Sequence, residues 1–322
     1  MRNTFPSCAT SINNLTIMAT QTKTPTVSIG IPAYNEEKNI GALLSALKEQ
    51  VCSSFILERI FVLSDGSSDK TAEIVKGFAR TDAKVTLVHD ARRLGKIARL
   101  DDLFKDAQSD LLIILDADII PAHGLVLSEL VNAFRDPRVG LAAGFEIPYR
   151  PTTLAEKGFY GWNLVWLDIR KRYNKGISVH NNPGSVFAMS KALYKNTEIP
   201  PKSIAEDEFI FFRARQLSLG FAWVPSATIN YRLPKALPEY LKQSARYIST
   251  KEKMFEHFGK GIETEYRIPA GLKIGSLLRT FGTHPLMTSL GVSLQAIVRV
   301  YTLFRKHSLF TNNTWEAARS TK

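Results

Sequence analysis

Cysteine is nearly absent. Cys8 and Cys52 are the only two in 322 residues, with no CxxC and no Cys/His spacing suited to zinc. A disulfide framework and a structural zinc site are therefore excluded as organising devices, which fits a reducing, cytoplasmic compartment. A long apolar run is also missing. The stretch TFGTHPLMTSLGVSLQAIV is free of Lys, Arg, Asp and Glu for 19 residues, but Pro285, two glycines and several hydroxyls make it a poor membrane span. The first two dozen residues are rich in Ser, Thr and Asn and lack the continuous apolar core of a signal peptide. Residues 1–24 are expected to be a disordered leader, with Met18 as a candidate start. Acidic residues are scarce at the other end: residues 267–322 contain eight Lys or Arg against one acid, Glu316. The whole chain carries a formal +12, which suggests an anionic partner such as a nucleotide, a lipid head group or a nucleic acid.

What is present, from Thr26 onward, is an alternation of short β-branched runs with amphipathic stretches. VSIGI precedes EEKNIGALLSALKEQ, RIFVL precedes SDKTAEIVKGFA, KVTLVH precedes IARLDDLFKDAQ, and LLIIL precedes HGLVLSELVNAF. This order predicts an α/β domain with a mostly parallel central sheet and flanking helices. In such sheets the strand C-terminal ends line the ligand crevice. Polar clusters follow the strands here: PAYNEE, SDGSSD, HDARRLGK and DAD. Asp65, Lys96, Asp116 and Asp118 are therefore expected along one rim.

Within LLIILDADIIP, Leu111–Leu115 reads as a fully buried strand, and side chains at i and i+2 leave a strand on the same face. Asp116 and Asp118 can thus converge, about 7 Å apart at the backbone. Two like charges so close need a shared positive partner, unless the pair merely caps a helix or lies solvated in a loop. The first βα turn has no GxGxxG, so it does not build a dinucleotide phosphate cradle. Asn35 reads instead as a helix N-cap, with Glu36 and Glu37 in the first turn, which suit the helix dipole and repel phosphate. Phosphate must be neutralised elsewhere. A divalent cation at the paired aspartates, with Lys96, Arg92 and Arg93 nearby, is the natural place.

Taken in order, PAYNEE, DGSSD, RLGK, DAD, NPGSVFAMS, AEDEFIFFRARQLSLG and QSARY resemble the family 2 glycosyltransferases, whose fold is called GT-A. The resemblance covers roughly Thr26 to Phe258. It implies inverting transfer of a sugar from a UDP- or GDP-type nucleoside diphosphate donor, assisted by Mg²⁺ or Mn²⁺. By similarity, Pro32, Tyr34, Glu36 and Asp65 would hold the nucleoside, with Asp65 accepting a hydrogen bond from the base. Lys96 and Gly184 would complete the donor site. Asp116 would lie near ribose and metal, Asp118 would be the main metal ligand, and Asp207 would be the general base. Glu206 and Glu208 leave open the reading of Asp207 as part of an acidic helix N-terminus, and Gly184 also fits an ordinary turn. Gln243, Arg246 and Tyr247 match the QxxRW of processive members, with tyrosine in place of tryptophan. They imply contact with acceptor or diphosphate, against the alternative of a polar helix face. Trp162 and Trp166 fit either stacking on a sugar or core packing.

The resulting organisation is a leader (1–24), a GT-A domain (25–258) and a basic helical tail (259–322). In the tail, Leu286, Leu290, Leu294, Ile297, Tyr301 and Phe304 fall at helical spacing opposite Thr288, Gln295, Arg299 and Thr302. That pattern fits a helix in a membrane interface and equally one packed on the catalytic domain. No multi-helix channel is present for a polymer synthase. A single transfer to a lipid-linked or glycan acceptor, with peripheral membrane contact, is the expectation. A sugar-phosphate nucleotidyltransferase would need a glycine-rich basic first loop, which IPAYNEE lacks. A nucleic acid partner would need a basic, aromatic-bearing face; the basic residues lie in the tail and around ARRLGK instead.

Overall fold

The computed structural model describes residues 23–200 and 205–305, the side chains of 245–250 and 303–305 excepted. Most of the leader, the end of the basic tail, and the side chains of Arg246, Tyr247 and Phe304 lie outside the described residues. The strands are β1 (Thr26–Ala33), β2 (Ile56–Asp65), β3 (Val85–Asp90), β4 (Leu111–Leu115), β5 (Ile119–Pro121), β6 (Val139–Pro148), β7 (Val186–Ser190) and β8 (Gly220–Tyr231). The helices are α1 (Ile40–Lys48), α2 (Thr71–Thr81), α3 (Lys96–Asp106), α4 (Val126–Asn132), α5 (Leu154–Arg172), α6 (Lys191–Tyr194), α7 (Glu206–Gln216), α8 (Leu237–Phe258), α9 (Ala270–Thr283) and α10 (Pro285–Arg305).

One eight-stranded sheet runs β3-β2-β1-β4-β7-β6-β8-β5. The expected parallel arrangement holds from β3 to β4, and beyond β4 the sheet is mixed, because β7 and β5 run antiparallel to their neighbours. β4 is buried on both faces. Leu111, Ile113 and Leu115 enter one core layer with Leu43, Leu44 and Leu127, while Leu112 and Ile114 enter the other with Leu103, Phe187 and Phe211. That two-sided burial is why its sequence is uniformly apolar rather than alternating.

The topology gathers a rim. The C-terminal ends of β1, β2, β3 and β4 open on one edge of the sheet. β7 runs the other way, so the residues before it, Gly184 and Ser185, reach that edge, with Val186 paired to Leu115. β6 and β8 run parallel to each other and bring Glu146 and Arg232 to the same side, while β5 enters antiparallel immediately after Asp118.

Two local expectations are corrected. Helix α1 begins at Ile40 with Asn39 at its N-cap, not at Asn35. Asn35 takes a left-handed φ of 53° and its side-chain oxygen accepts from Ser68 N at 2.8 Å, so PAYNEE forms a turn before the helix. Helix α10 is also rotated from the expected face. Thr288, Gly291, Leu294 and Val298 point inward, and Leu286, Ile297 and Val300 are exposed. The cause is close backbone approach: Gly161 of α5 and Gly291 of α10 have no room for a Cβ, against Met287 and Trp162 respectively. Helix α5 itself starts at a capping box in which Thr153 Oγ1 accepts from Glu156 N and Glu156 Oε2 accepts from Thr153 N.

Candidate active site

The PAYNEE and DGSSD turns are laced together. Asn35 N donates to Ser67 Oγ, Glu36 N to Thr71 Oγ1, Glu37 N to Asp69 Oδ2, and Lys70 N returns to Glu37 Oε2. Gly66, at a φ of 68°, lets the backbone of Arg93 approach where a Cβ would sit 2.9 Å from its nitrogen. Arg93 then lays its guanidinium 3.8 Å from the ring centroid of Tyr34. Pro32, with no N–H to donate, lies beyond the last residue of β1 that pairs with β4 and faces β2 alone.

Asp65 is buried and engaged by the chain itself. Its Oδ1 accepts from Leu94 N at 2.8 Å and Arg99 Nε at 2.9 Å, and its Oδ2 accepts from Gly95 N at 2.8 Å. A carboxylate offers about four acceptor positions, so one remains for an outside donor. Arg99, 4% exposed, also pairs with Asp90 and donates to Arg92 O. Together they fix the loop between β3 and α3 that presents Lys96. Arg99→Met is expected to leave Asp65 buried without its counter-ion and to destabilise the fold by about 3–5 kcal/mol. Urea unfolding would show this as a lower midpoint with an unchanged slope.

Lys96 is the centre of the rim. Its Nζ lies 2.6 Å from Asp116 Oδ1, 2.6 Å from Glu206 Oε1 and 3.3 Å from Gly184 O. Burial alone would lower the ammonium pKa, but Asp116 and Glu206 outweigh it and hold the group well above its usual value. Asp118 behaves oppositely. Burial, then Asp116 and then Glu36 push its carboxyl up to about 7. Glu36 is itself buried and accepts from Asn39 Nδ2, and Arg232 reaches the far side of Asn39 with a 2.7 Å bond to Oδ1.

A short segment from His180 to Ser185 ties the two sides of the rim together. Asn181 bonds Arg170 through its side-chain oxygen, and Asn182 Nδ2 donates to Asp207 O at 2.7 Å. Gly184, at a φ of 75°, packs so close that a Cβ would meet Asp207 Oδ2 at 3.3 Å. Ser185 donates to Glu146 Oε1 at 2.5 Å and its carbonyl accepts from Asp116 N at 3.0 Å. Burial, then Glu206 and Glu208, raise the Asp207 carboxyl well above the ordinary aspartate value. Glu208 in turn accepts from Tyr266 Oη at 2.6 Å.

Lys96, Asp116 and Gly184 are thus joined through direct contacts, Asp65 is linked to them through the Leu94–Gly95 backbone it holds, Asp118 and Glu36 lie in electrostatic reach, and Asp207 lies against Gly184. Gln243 is half-buried on α8, one turn beyond Tyr240. Trp166 packs edge-on against His180, 5.3 Å between centroids. Sequence reasoning missed Arg99, Glu146 and Arg170 and did not give Glu206 its role beside Lys96. For Arg99 a signal existed, since it is the one charge on the face that α3 buries. A cavity of about 660 Å³ bordered by Phe104, Tyr194, Phe209 and His257 shares none of the rim residues. Converging charges, rather than volume, identify the site.

Among the described residues no group of three or more His, Cys, Asp or Glu side chains is disposed to hold a metal ion. A Mg²⁺-type site does not require one, because such ions commonly bind through one or two carboxylates plus substrate phosphates. Asp116 and Asp118 form such an all-oxygen pair, and the cost of ionising Asp118 beside Asp116 and Glu36 is what a divalent cation would remove.

The family model for glycosyl transferase family 2 matches residues 28–197. A probable glycosyltransferase of Bacillus subtilis, YdaM, is 26% identical over 232 residues, 69% of this chain and 54% of its own. The chain therefore spans about half the length of that relative. An undecaprenyl-phosphate 4-deoxy-4-formamido-L-arabinose transferase of Aeromonas hydrophila is 35% identical over 97 residues, 29% of each chain. Among solved structures, the mannosyltransferase PcManGT of Pyrobaculum calidifontis, in complex with GDP-Man and Mn²⁺, superposes with a TM-score of 0.58 over 90% of this chain and 83% of its own, at 18% identity.

Proposed function

The chain belongs to glycosyl transferase family 2, and from that premise we propose an inverting, metal-dependent transfer of a sugar from a nucleoside diphosphate donor to a hydroxyl or phosphate acceptor. The transfer is single, and the acceptor is a lipid-linked molecule or glycan met at the cytoplasmic face of a membrane. The observation that carries this reading is the Lys96 bridge, which joins Asp116 of the DAD turn to Glu206, the neighbour of Asp207. Donor-side and acceptor-side carboxylates thereby face one another across one rim.

Asp118 and Asp116 would hold Mg²⁺ or Mn²⁺, in line with the Mn²⁺ complex of the structural relative. Such a cation supplies a Lewis acid for the leaving diphosphate. Lys96 adds a fixed positive charge beside the same phosphates. The Tyr34–Arg93 stack and the Asp65 loop form the wall for the nucleoside, in which Pro32 and Glu36 also take part. Asp207 accepts the proton of the attacking hydroxyl while that oxygen bonds to the anomeric carbon. The bond from that carbon to the diphosphate oxygen breaks on the opposite face, which inverts the configuration. Gly184 keeps the space beside the Asp207 carboxylate clear. Gln243, Arg246 and Tyr247 on α8 would contact the acceptor or diphosphate.

A screen of UDP-, GDP- and dTDP-sugars with Mg²⁺ or Mn²⁺, following release of nucleoside diphosphate, tests this reading. Turnover of one donor class that stops with chelator and returns with metal is expected. No release from any donor in the presence of metal would overturn it.

A further inference from the structure

We propose that the outer faces of α9 and α10 form a lipid-contacting surface that seats the protein on an anionic membrane. The proposal rests on the reading of a membrane-surface acceptor and names the part of the molecule that meets the lipid.

Both helices expose large apolar side chains on their outer faces and bury hydroxyls where they pack, and α10 buries Leu294 and Val298 on its packed face as well. Inward, α9 presents Ser276 and Thr280 and α10 presents Thr288, all buried. These hydroxyls are satisfied locally: Thr280 donates to Ser276 O, Thr288 to His284 O, and Ser276 Oγ accepts from Arg279. Arg279 is held by Asp168 of α5 at 2.7 Å. Outward lie Ile274, Leu278 and Phe281 on α9, then Leu286, Ile297 and Val300 on α10, with Leu278 65% and Leu286 69% exposed. The inward polar groups therefore have partners, and the outward apolar ones face solvent. A helix apolar on its outer face as well as its packed face is normally covered by protein or lipid.

Charge selects the occupant. Of the eight Lys or Arg in residues 267–322, Arg267 and Arg279 are paired with Glu263 and Asp168, and the other six against the single acid Glu316 leave the segment positive, so two copies of it would repel each other and an anionic lipid surface would attract it. Among the described residues no helix is long and apolar enough to cross a membrane, so the surface lies on the bilayer. The tight crossing at Gly161 and Gly291 fixes α10 rigidly to α5. Gln295 Nε2 donates to Tyr240 Oη at 2.7 Å, and Tyr240 stacks on Phe159 at 4.0 Å. The lipid face is thus braced against the start of α8, the helix that carries Gln243. A lipid-linked acceptor would arrive beside the element proposed to receive it.

The test is flotation of the full chain with phosphatidylcholine vesicles, with and without phosphatidylglycerol. The wild type should float with anionic vesicles, less so as salt rises. Leu278→Glu/Phe281→Glu and, separately, Ile297→Glu should each lower partitioning by about tenfold or more, the scale for losing one buried apolar side chain. All three positions are solvent-facing, so thermal melts and hydrolysis of the sugar nucleotide should match the wild type. Equal flotation of wild type and variants would overturn the proposal. So would a wild-type dimer, seen by sedimentation, that the same substitutions convert to monomer. Failure of the donor screen alongside loss of vesicle binding in the variants would overturn the proposed function and leave this face standing.

Discussion

Asp207→Asn is expected to lower turnover by about 10²- to 10⁴-fold while leaving donor affinity nearly unchanged, the scale for losing a general base. The substitution keeps the shape beside Gly184 and removes only the capacity to take a proton. The pH dependence follows from the surroundings of the carboxyl. Burial comes first, then Glu206 and Glu208 on its own helix, with Lys96 acting in the other direction, and the net effect is a pKa well above the ordinary aspartate value. A base must be ionised, so the wild-type rate should rise with pH through a limb placed well above the usual aspartate range, and Asn should abolish that limb. Stability runs the other way. A carboxyl whose folded pKa is raised binds its proton more tightly in the native state, so its contribution to stability is present at low pH and is lost as pH rises through that raised value. Asp207→Asn should therefore be at least as stable as the wild type at neutral pH, which thermal melts at several pH values would show. Collapse of donor binding along with the rate would give Asp207 a donor-side or structural role. A much smaller loss of turnover would point to an acceptor that is already ionised, such as a phosphate.

The parts of this site that were legible in the sequence are those with a local pattern. β4 could be read because both-sided burial makes a strand uniformly apolar, whereas the paired aspartates that follow it sit in the turn between β4 and β5 rather than on the strand whose i, i+2 spacing suggested their convergence. The strand-end clusters could be placed because parallel strands align their C-terminal ends. The start of α1 could not. Asn35 and Asn39 are both competent caps, and only the left-handed backbone at Asn35, tied to Ser67 and Ser68 of another turn, decides between them. Glu206 and Glu146 belong to the same category. Each acts through a partner from a distant segment, Lys96 and Ser185, and no spacing rule reports such a pairing. The orientation of α10 was hidden for a different reason. Hydrophobic periodicity counts side chains, whereas the crossing with α5 is set by their absence at Gly161 and Gly291.

Asp118→Asn is expected to cost about 10³-fold or more in turnover and to remove its response to Mn²⁺ or Mg²⁺. The magnitude corresponds to the several kcal/mol that a Lewis acid contributes to a leaving group gathering charge. The neighbouring Asp116 does not substitute for it, because its Oδ1 is already held by Lys96 at 2.6 Å. The fold should survive. Ionising Asp118 opposes burial and the charges of Asp116 and Glu36, which together push its carboxyl up to about 7, so a neutral amide of the same shape removes that cost. Two measurements separate metal loss from misfolding: calorimetric titration of Mn²⁺ in the presence of nucleoside diphosphate, and the thermal midpoint without metal. The expected pair is metal binding lost and a midpoint equal to or above that of the wild type. A variant that turns over at the parental rate with metal would remove the DAD turn from the donor site, and the Lys96 bridge would then hold the rim together without serving a diphosphate.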